Sequence, residues 1–481
     1  MPLILPGNVA SATAVAEAYD VDNSVRLDDN GHFTRMWDDT VGGITWTLSL
    51  WFKRGEIDGV NQTFMSCYYS SAKSVTIRIN SDDKIQYLGN HTGGLVRCNL
   101  ITSAVFRDPS AWTHLVVGQD SSEATEGDRL KFWINGSRVT AFDTEVYYAL
   151  NQGDHFNANN TEHQIGSFKG GDEFQGYFAQ FCFLHGVQYD ADQFGEFDSS
   201  SPTVWKPIDI SGIATDESGF FLDFADSDNL GDDESGNTDG ANDWTAVNLD
   251  ATDQATDTPT NNFCTMNPLN QRLTNPAAFS QGNCQMTTSG SWGSWSASMG
   301  SVNGKWYWEA KRNGSAVTLI GILSENATKS SDSAGNNSLL GNPAQYQGVG
   351  YHATGTIYPG SGGESGGWGA GYSANDIISV AMDLDNGKLY FAINGTWSDS
   401  GDPTSGATGT GSAKDLTVGT EFFFPSLGSY TDGEGWSGNF GGCSSFTVSS
   451  ANQDANGYGN FEYAVPSGYY ALCSKNLAEF G

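Results

Sequence analysis

Residues 376–397, DIISVAMDLDNGKLYFAINGTW, predict a β-hairpin more clearly than any other stretch of the chain. Apolar residues alternate along its first half, which is the period of an extended strand. Asp-Asn-Gly at 385–387 supplies the turn, because Asn and Gly tolerate the positive φ that a tight hairpin needs. The return strand alternates again and ends in Asn-Gly at 394–395, which predicts a second turn.

A looser version of this pattern occurs earlier in the chain. Residues 112–117 (WTHLVV) predict a strand, 119–129 a polar loop, and 130–136 (LKFWING) a return strand with its turn. Both return strands end in Ile-Asn-Gly. The echo is too short to establish an internal duplication, but it indicates two antiparallel sandwiches in tandem.

Composition narrows the class of protein. A chain of 481 residues holds two or three domains, and 60 glycines with few Lys and Arg are typical of an all-β protein rich in tight turns. A net charge of −34 argues against nucleic acid or an anionic membrane as partner, and no stretch is apolar for long enough to span a bilayer. The charge is compatible with divalent cations, with high salt, or with solubility alone.

The seven cysteines and the N-terminus indicate where the chain folds. An odd number of cysteines leaves at least one thiol unpaired, and no CxxC pair or zinc spacing occurs, so folding in a reduced cytoplasm is expected. The start, MPLILPGNVASATAVA, lacks a basic region, and Pro6-Gly7 interrupts its apolar run. We therefore predict that residues 1–20 form an extended arm that docks on a partner.

Short strand-like segments follow from residue 21 onward. Residues 44–52 (ITWTLSLWF) alternate as a half-buried strand, and 174–186 (FQGYFAQFCFLHG) are predicted to place Phe178 and Cys182 on the same side. Residues 190–197 predict a short helix or turn. With WTHLVV and FWING, these segments resemble, in their order, the laminin G-like/concanavalin A-like lectin superfamily over about residues 21–225.

An acidic, glycine-rich loop at 225–243 (ADSDNLGDDESGNTDGAND) partly imitates a calcium loop. Asp226, Asp228 and Asp232 are the candidate Ca²⁺ ligands. Leu230, however, occupies a position where an oxygen ligand is expected. A solvated loop without metal is the alternative.

Residues 250–261 (DATDQATDTPTN) are polar and acidic, contain Pro and show no apolar period, so they predict a linker. It would separate a first domain, 21–249, from a second, 262–481. In the second, GKWYWEAK, TLIGIL, GVGYH, the hairpin and FFFPSL resemble, in that order, a SPRY domain over about residues 300–450. That resemblance implies a β-sandwich that binds proteins through loops at one end and is not an enzyme.

The predicted fold class is therefore all-β, with two tandem antiparallel β-sandwich (jelly-roll) domains, concanavalin A-like and then SPRY-like. This pairing, with WKP at 205–207, NPLN at 267–270 and YYALCSKNL at 469–477, is similar to large structural proteins of tailed bacteriophages. The resemblance implies a fibre, spike or decoration protein on the virion surface, folded in the host cytoplasm. Its arm would dock on capsid, portal or tail proteins, and by analogy with phage fibres it would be a homo-oligomer, a trimer.

The sequence gives little support for catalysis. Glycoside hydrolases of the lectin-like fold need two facing carboxylates, commonly spaced Glu-x-Asp-x-Glu, and no such run occurs. The seven histidines form no HxH or HExxH set. We therefore predict a protein that is not an enzyme. Two rival functions stay open: a capsid decoration protein with no host ligand, and a glycan depolymerase.

Aromatic residues between glycines suggest a binding function in the second domain. Aromatic rings stack on the apolar faces of sugars, while neighbouring polar groups bond the hydroxyls. The candidate ligand-binding residues are Trp292, Trp295, Trp368, Tyr372, Trp397 and Trp436. They are expected to contact a host-surface glycan or receptor, to contact a partner subunit, or to pack within their own loops.

Overall fold

The computed structural model describes residues 19–28, 30–37, 43–70, 73–91, 95–153, 155–156, 158, 160–213, 218–236, 242–270, 277–288, 293–315, 317–328, 348–359, 367–430 and 433–481. The chain forms two compact units, divided between Thr260 and Asn261. In both, nearly all strand pairs are antiparallel, which confirms the predicted all-β class. Residues 1–18 of the predicted N-terminal arm lie outside the described residues.

The first unit is a sandwich of two long sheets. One sheet has the strand order β10-β9-β8-β3-β13-β1-β18, with β16 beside β13, and the other has the order β11-β7-β6-β5-β4-β12-β2-β17. Strands β14 and β15 form a separate pair, and short 3₁₀ helices lie at Glu126–Asp128, Ala191–Gln193 and Ala251–Asp253. The strands are β1 (Ser24–Leu27), β2 (His32–Trp37), β3 (Thr45–Arg54), β4 (Gln62–Ser70), β5 (Lys73–Ile79), β6 (Ile85–His91), β7 (Leu95–Thr102), β8 (Thr113–Asp120), β9 (Leu130–Ile134), β10 (Ser137–Arg138), β11 (Phe142–Val146), β12 (Thr161–Ile165), β13 (Gly176–His185), β14 (Gly195–Phe197), β15 (Trp205–Pro207), β16 (Phe220–Leu222), β17 (Thr245–Val247) and β18 (Gln254–Ala255).

Alternation builds the core between these two sheets. The inward residues of β3, Trp46 to Phe52, are buried as the sequence predicts. In β13 the prediction fails, because a β-bulge shifts the register between Ala179 and Cys182 and gives Gln180 a φ of 43°. Phe178 therefore lies in the core, whereas Cys182 packs in a second cluster on the other side of the sheet.

That second cluster is formed where residues 187–213 cover the outer face of the β3 sheet. His114 of β8 lies beneath this covering segment, stacked on Trp51 with ring centroids 4.7 Å apart. Trp205 Nε1 donates a hydrogen bond to His114 Nδ1 at 2.9 Å, and Ser49 Oγ lies 2.9 Å from Nε2. Both nitrogens of this buried imidazole therefore have partners.

The prediction of a linker over 250–261 is wrong, because the segment belongs to the first sandwich up to Thr260. Asp253 forms a 2.8 Å ion pair with Arg26, and β18 pairs with β1. Asp257 is fully buried, 2.6 Å from Lys53 Nζ, and accepts a hydrogen bond from Trp112 Nε1 at 3.0 Å. The acidic composition of this segment thus reflects specific buried pairing rather than solvation.

The second unit is also a sandwich of two sheets. One has the strand order β19-β20-β31-β22-β26-β27-β28, with β29 beside β27 and β32 beside β22, and the other has the order β21-β30-β23-β24-β25. Short 3₁₀ helices lie at Pro268–Asn270, Ser398–Ser400 and Pro403–Thr408, and the α-helices are α1 (Glu325–Thr328) and α2 (Ser474–Phe480). The strands are β19 (Ala277–Ser280), β20 (Gln285–Thr288), β21 (Gly293–Ser296), β22 (Lys305–Asn313), β23 (Thr318–Ser324), β24 (Gly348–His352), β25 (Ile357–Pro359), β26 (Ile377–Asp383), β27 (Lys388–Ile393), β28 (Thr396–Trp397), β29 (Lys414–Asp415), β30 (Phe423–Ser429), β31 (Gly435–Asn439) and β32 (Tyr470–Ala471).

In the described ranges, no helix has the length and apolar character needed to cross a membrane.

The hairpin predicted over 376–397 is confirmed as β26, β27 and the short β28. Its echo in the first unit extends to the turn geometry. Asn135-Gly136 has φ values of 45° and 74°, and Asn394-Gly395 has 47° and 77°, as a two-residue hairpin turn requires. A Cβ on Gly136 would meet the Trp205 ring at 2.3 Å, and one on Gly395 would meet Tyr463 at 2.6 Å. Each turn is therefore capped by an aromatic ring from its own unit.

The sheet that contains β22 has a covered outer face at one end only. Outward residues such as Tyr307, Ala381 and Tyr390 pack with Phe461, Tyr469 and Cys473 of the C-terminal segment, residues 444–473. Farther along the face, towards β20 and β31, most polar outward residues are only half buried. This uncovered end of the face positions the candidate site.

Candidate ligand-binding site

The uncovered end of the outer face forms a depression of ≈ 440 Å³, here called the outer-face depression. Its floor comes from three neighbouring strands, and the pairing places their side chains in two rows. The floor rows are Gln285, Ser437 and Lys311, and then Thr287, Gly435 and Asn313. Since neighbouring strands lie about 4.8 Å apart, the outer members of a row are separated by about 10 Å, which leaves room for one sugar ring.

Two small central residues make this surface concave. A Cβ on Gly435 would come within 1.9 Å of the Met286 carbonyl oxygen, so only glycine fits there. Ser437 is buried and accepts a hydrogen bond from Asn313 Nδ2 at 3.0 Å. The centre of the depression is thus low, while the longer side chains of Gln285 and Lys311 stand at its sides.

The rim is held by local hydrogen bonds. Ser445 Oγ donates to the Cys284 carbonyl at 2.9 Å, which fixes the start of the C-terminal segment on β20. Ser444 Oγ donates to the Phe446 carbonyl at 2.7 Å and so holds the half-buried Phe446 at the edge. Asn375, Gly433 and Thr447 complete the rim.

Glu309 anchors the C-terminal segment, residues 444–473, beside the depression. Its carboxylate is fully buried and accepts hydrogen bonds from the backbone N–H groups of Glu462 at 2.9 Å and Tyr463 at 2.8 Å. The Tyr307 hydroxyl donates to it at 2.7 Å. Burial nevertheless raises the pKa of Glu309 to about 7, because water no longer solvates the charge.

This raised pKa sets a pH dependence for the second sandwich. The folded state binds the proton more tightly than the unfolded chain, so the stabilisation is complete below pH 4.5 and is lost as the pH rises through about 7. We expect the free energy of unfolding of the wild type, minus that of Glu309→Gln, to fall by about 3 kcal/mol between pH 4.5 and 7. Urea unfolding of both proteins across this range measures it. A difference that grows with pH would mean that the donors outweigh burial.

The lining of the depression suits a neutral or anionic polar ligand. It offers amide, hydroxyl and ammonium groups together with one aromatic ring, Phe446. No Asp, Glu or His belongs to the described lining, so those side chains supply no general acid or base there. The arrangement can bind hydroxyl-rich molecules by hydrogen bonding and by contact with the ring.

None of the five described aromatic residues that were predicted to bind ligand belongs to the lining of this depression. Trp295, Tyr372 and Trp436 are buried in the core, at 0%, 3% and 0% exposure. Trp436 Nε1 donates to the Gly428 carbonyl, and Tyr372 Oη to the Thr318 carbonyl, both at 2.9 Å. The burial of these three rings fits the alternative of packing within the unit.

The other three predicted residues give a mixed outcome. Trp368 is partly buried and packs edge-on against Tyr351, with centroids 5.3 Å apart. Trp397 is partly buried against the cluster that the C-terminal segment, residues 444–473, covers. Trp292 lies outside the described residues. For Trp368 and Trp397 the structure fits the alternative of packing within the unit.

The glycines beside Trp295 and Trp436 have a packing role that the sequence does not reveal. Gly293 has no room for a Cβ, which would meet the Trp295 ring at 2.1 Å, and Gly435 faces the Met286 carbonyl. These glycines mark close packing rather than exposed loops. The predicted segment around Trp436 does reach the depression, but through Gly435 and Ser437 on its opposite face. Simple alternation along β22 would also have placed Lys311 and Asn313 on the outer face.

The candidate calcium ligands are not brought together as a metal site. Asp226 Oδ1 accepts a hydrogen bond from the Asp228 backbone N–H at 2.9 Å, which is a turn within the loop, and Leu230 is buried in the core. Burial and neighbouring carboxylates raise the pKa of Asp232. Among the described residues, which omit 237–241, no group of three His, Cys, Asp or Glu side chains could hold a metal ion. A Ca²⁺ ligand stays a prediction.

The Ser49–His114 pair resembles part of a hydrolase triad but cannot act as one. Because Trp205 Nε1 donates to Nδ1, the imidazole proton lies on Nε2, which then donates to Ser49. A base that activates serine must accept at that nitrogen. Both residues are also buried beneath residues 187–213, so the pair is structural.

A comparison with known protein families agrees with the fold of the first sandwich. Residues 22–187 match the family model of the concanavalin A-like lectin/glucanases superfamily, and this confirms the fold predicted there. No curated protein matches the chain. Among solved structures, the SPRY domain of human HERC1 matches at 18% identity, covering 36% of this chain and 93% of that one, with a TM-score of 0.27. A heptameric SAP-like pentraxin from Limulus polyphemus matches at 13% identity, covering 37% and 82%, with a TM-score of 0.28.

Proposed function

We propose that this protein is a non-enzymatic structural component of a bacteriophage virion, a fibre- or spike-type appendage, and that it binds a host-surface glycan through the outer-face depression. The observation that carries the binding role is the lining itself, in which Asn313, Thr287, Gln285 and Ser437 present amide and hydroxyl groups around a concave floor. Such groups bond sugar hydroxyls, and the Phe446 ring offers an apolar surface for a sugar face.

A binding role is favoured over catalysis by the chemistry of the site. Glycoside hydrolysis uses two carboxylates on either side of the scissile bond, and the described lining contains none. Glu309, whose raised pKa would suit a general acid, is buried and occupied by backbone donors. The concanavalin A-like fold of residues 22–187 is compatible with either role, so the proposal is supported by the lining of the depression in the second sandwich.

The assignment to a phage virion rests on the order of segments along the chain. The seven cysteines are buried, which fits folding in a reducing cytoplasm before assembly. The net charge of −34 fits a partner other than nucleic acid. In this proposal the arm, residues 1–20, docks on other virion proteins and the protein is a homo-oligomer. Immunogold labelling of purified particles would locate it, and absence from them would contradict the virion role.

Asn313→Ala is expected to weaken glycan binding by about tenfold, because the substitution deletes the hydrogen bonds between the Asn313 amide and the glycan in the depression. Thr287→Ala should weaken binding in the same direction. Thr396→Ala is the matched control, since Thr396 lies on β28, at the other edge of the same sheet. The measurement is binding of each purified oligomer to a microbial glycan array and then to immobilised glycans. Equal affinities for all variants would exclude the depression as the site, and an absence of binding to any glycan would favour the decoration role.

A further inference from the structure

Lys311 differs from two other lysines on its sheet, Lys305 and Lys388. On the same strand, Lys305 Nζ lies 3.0 Å from the buried Asp383, and on β27 Lys388 Nζ lies 2.6 Å from Asp415. The Lys311 ammonium makes no ion pair or hydrogen bond within the part of the chain that the structure describes. The chain has 56 acidic and 22 basic residues, yet no carboxylate among its described residues pairs with this cation, which lies at the side of a concave surface.

The surroundings of Lys311 keep that charge available. The nearby Asp376 is engaged elsewhere, since its carboxylate accepts from the Ser373 backbone N–H at 2.7 Å and from Asn394 Nδ2 at 2.8 Å. The pairing register places Lys311 directly beside Ser437, which in turn lies between Lys311 and Gln285. An ammonium group, a hydroxyl and an amide therefore face the same space within one row.

From this geometry we infer that the ligand of the outer-face depression is an anionic glycan, whose acidic group (carboxylate, sulfate or phosphate) is bound by Lys311. The inference rests on the proposed glycan-binding function and specifies its substrate class. A charged donor bonds an anionic oxygen more strongly than a neutral one, so the acid group would be the main anchor. Asn313 and Thr287 would bond the hydroxyls of the same sugar. Because the protein as a whole is strongly anionic, an acidic ligand gains attraction only at short range, which favours a single placed cation over a general basic surface.

The test compares matched pairs of glycans that differ only in the acidic group, such as a uronic acid polymer and its carboxyl-reduced form. The wild-type oligomer is expected to bind the acidic member at least about tenfold more tightly. Lys311→Met should abolish that preference, and Lys311→Arg should retain most of it. Lys414→Met is the matched control, because Lys414 is a half-buried lysine on β29, at the far edge of the same sheet.

The outcomes separate this inference from the function on which it rests. If the neutral members bind as tightly as the acidic ones and Asn313→Ala weakens both, the glycan site stands and the anionic class is wrong. If Lys311→Met leaves the preference intact while circular dichroism shows a folded protein, Lys311 is not the anchor and the inference is overturned. If no glycan binds but an acidic peptide does, with Lys311 required, the proposed glycan function fails as well.

Discussion

Replacing Asp257 by Ala is expected to lower the free energy of unfolding of the first sandwich by about 3–5 kcal/mol. Lys53 is 1% exposed and lies 2.6 Å from the Asp257 carboxylate, which is itself 0% exposed. Removing the carboxylate leaves a buried ammonium without its counter-charge and also leaves the Trp112 indole N–H without its acceptor. The loss therefore reflects unpaired buried groups rather than the strength of the pair alone.

A matched ion pair in the same unit provides the control. Asp128 lies 2.8 Å from Arg138, but both side chains are about a third or more exposed to solvent. We expect Asp128→Ala to cost less than about 1 kcal/mol, because water screens that pair. Urea unfolding followed by hydrogen exchange of β3 and β8 reports on this unit separately. Similar losses for the two variants would contradict the assignment of a buried pair.

Replacing both partners tests the cause of the loss. The double variant Lys53→Met with Asp257→Leu removes both charges and retains volume, so it should recover much of the stability lost in Asp257→Ala. Recovery would show that the single variant suffers from an uncompensated charge. A double variant no more stable than Asp257→Ala would instead indicate that the packing around Trp112 depends on the carboxylate.

The segment that contains Asp257 shows where sequence analysis fails. Local composition along 250–261 is polar and acidic, and a linker has that composition too. What distinguishes them is the presence of Arg26 and Lys53, more than 200 residues earlier in the chain, and this distance carries no local signal. By contrast, the hairpin over 376–397 was predictable, because alternation and Asn-Gly turns determine it within 22 residues.

The candidate site could be predicted from the sequence only in part. Trp436 was selected from a glycine-rich segment, which the structure shows to be strand β31. Alternation assigns the residues of such a strand to two faces, but the sequence does not say which face is covered. That decision depends on the C-terminal segment, which covers Tyr307 and Glu309 but leaves Lys311 and Asn313 open. A search for ligand-binding aromatic rings therefore selected residues of the core face, while the candidate site lies on the polar outer face.

Acidification should destabilise the first sandwich through two buried histidines. Burial lowers the pKa of both His114 and His163 to about 3, from 6.5, and the positive charge of Arg35 adds to the effect at His163. The unfolded chain thus binds protons that the folded state excludes, so this stability is complete above pH 6.5 and is lost as the pH falls towards 3. Between pH 7 and 5 each histidine should cost about 2 kcal/mol, or about 4 kcal/mol together.

The surroundings of each ring explain why protonation is so unfavourable. His114 lies between the rings of Trp51 and Trp205, and its Nδ1 is an acceptor for an indole N–H that a second proton would oppose. His163 packs against Trp37 with the ring planes tilted by 53° and the centroids 4.7 Å apart, and its Nδ1 lies 3.0 Å from the Thr161 carbonyl. Aromatic and backbone groups replace water around both imidazoles, so the charged forms lose their solvation.

Single variants isolate each contribution, because the readout is the pH slope rather than the absolute stability. His114→Gln and His163→Gln should each remove about half of the loss between pH 7 and 5, even where they lower stability at every pH. Ser49→Ala is the control, since it deletes a hydrogen bond to His114 but leaves the imidazole to titrate, and its slope should match the wild type. Other groups, such as the carboxylates of Asp232 and Glu234, cancel in these differences. A slope that persists in the double variant would assign the pH dependence of this sandwich to groups other than its buried histidines.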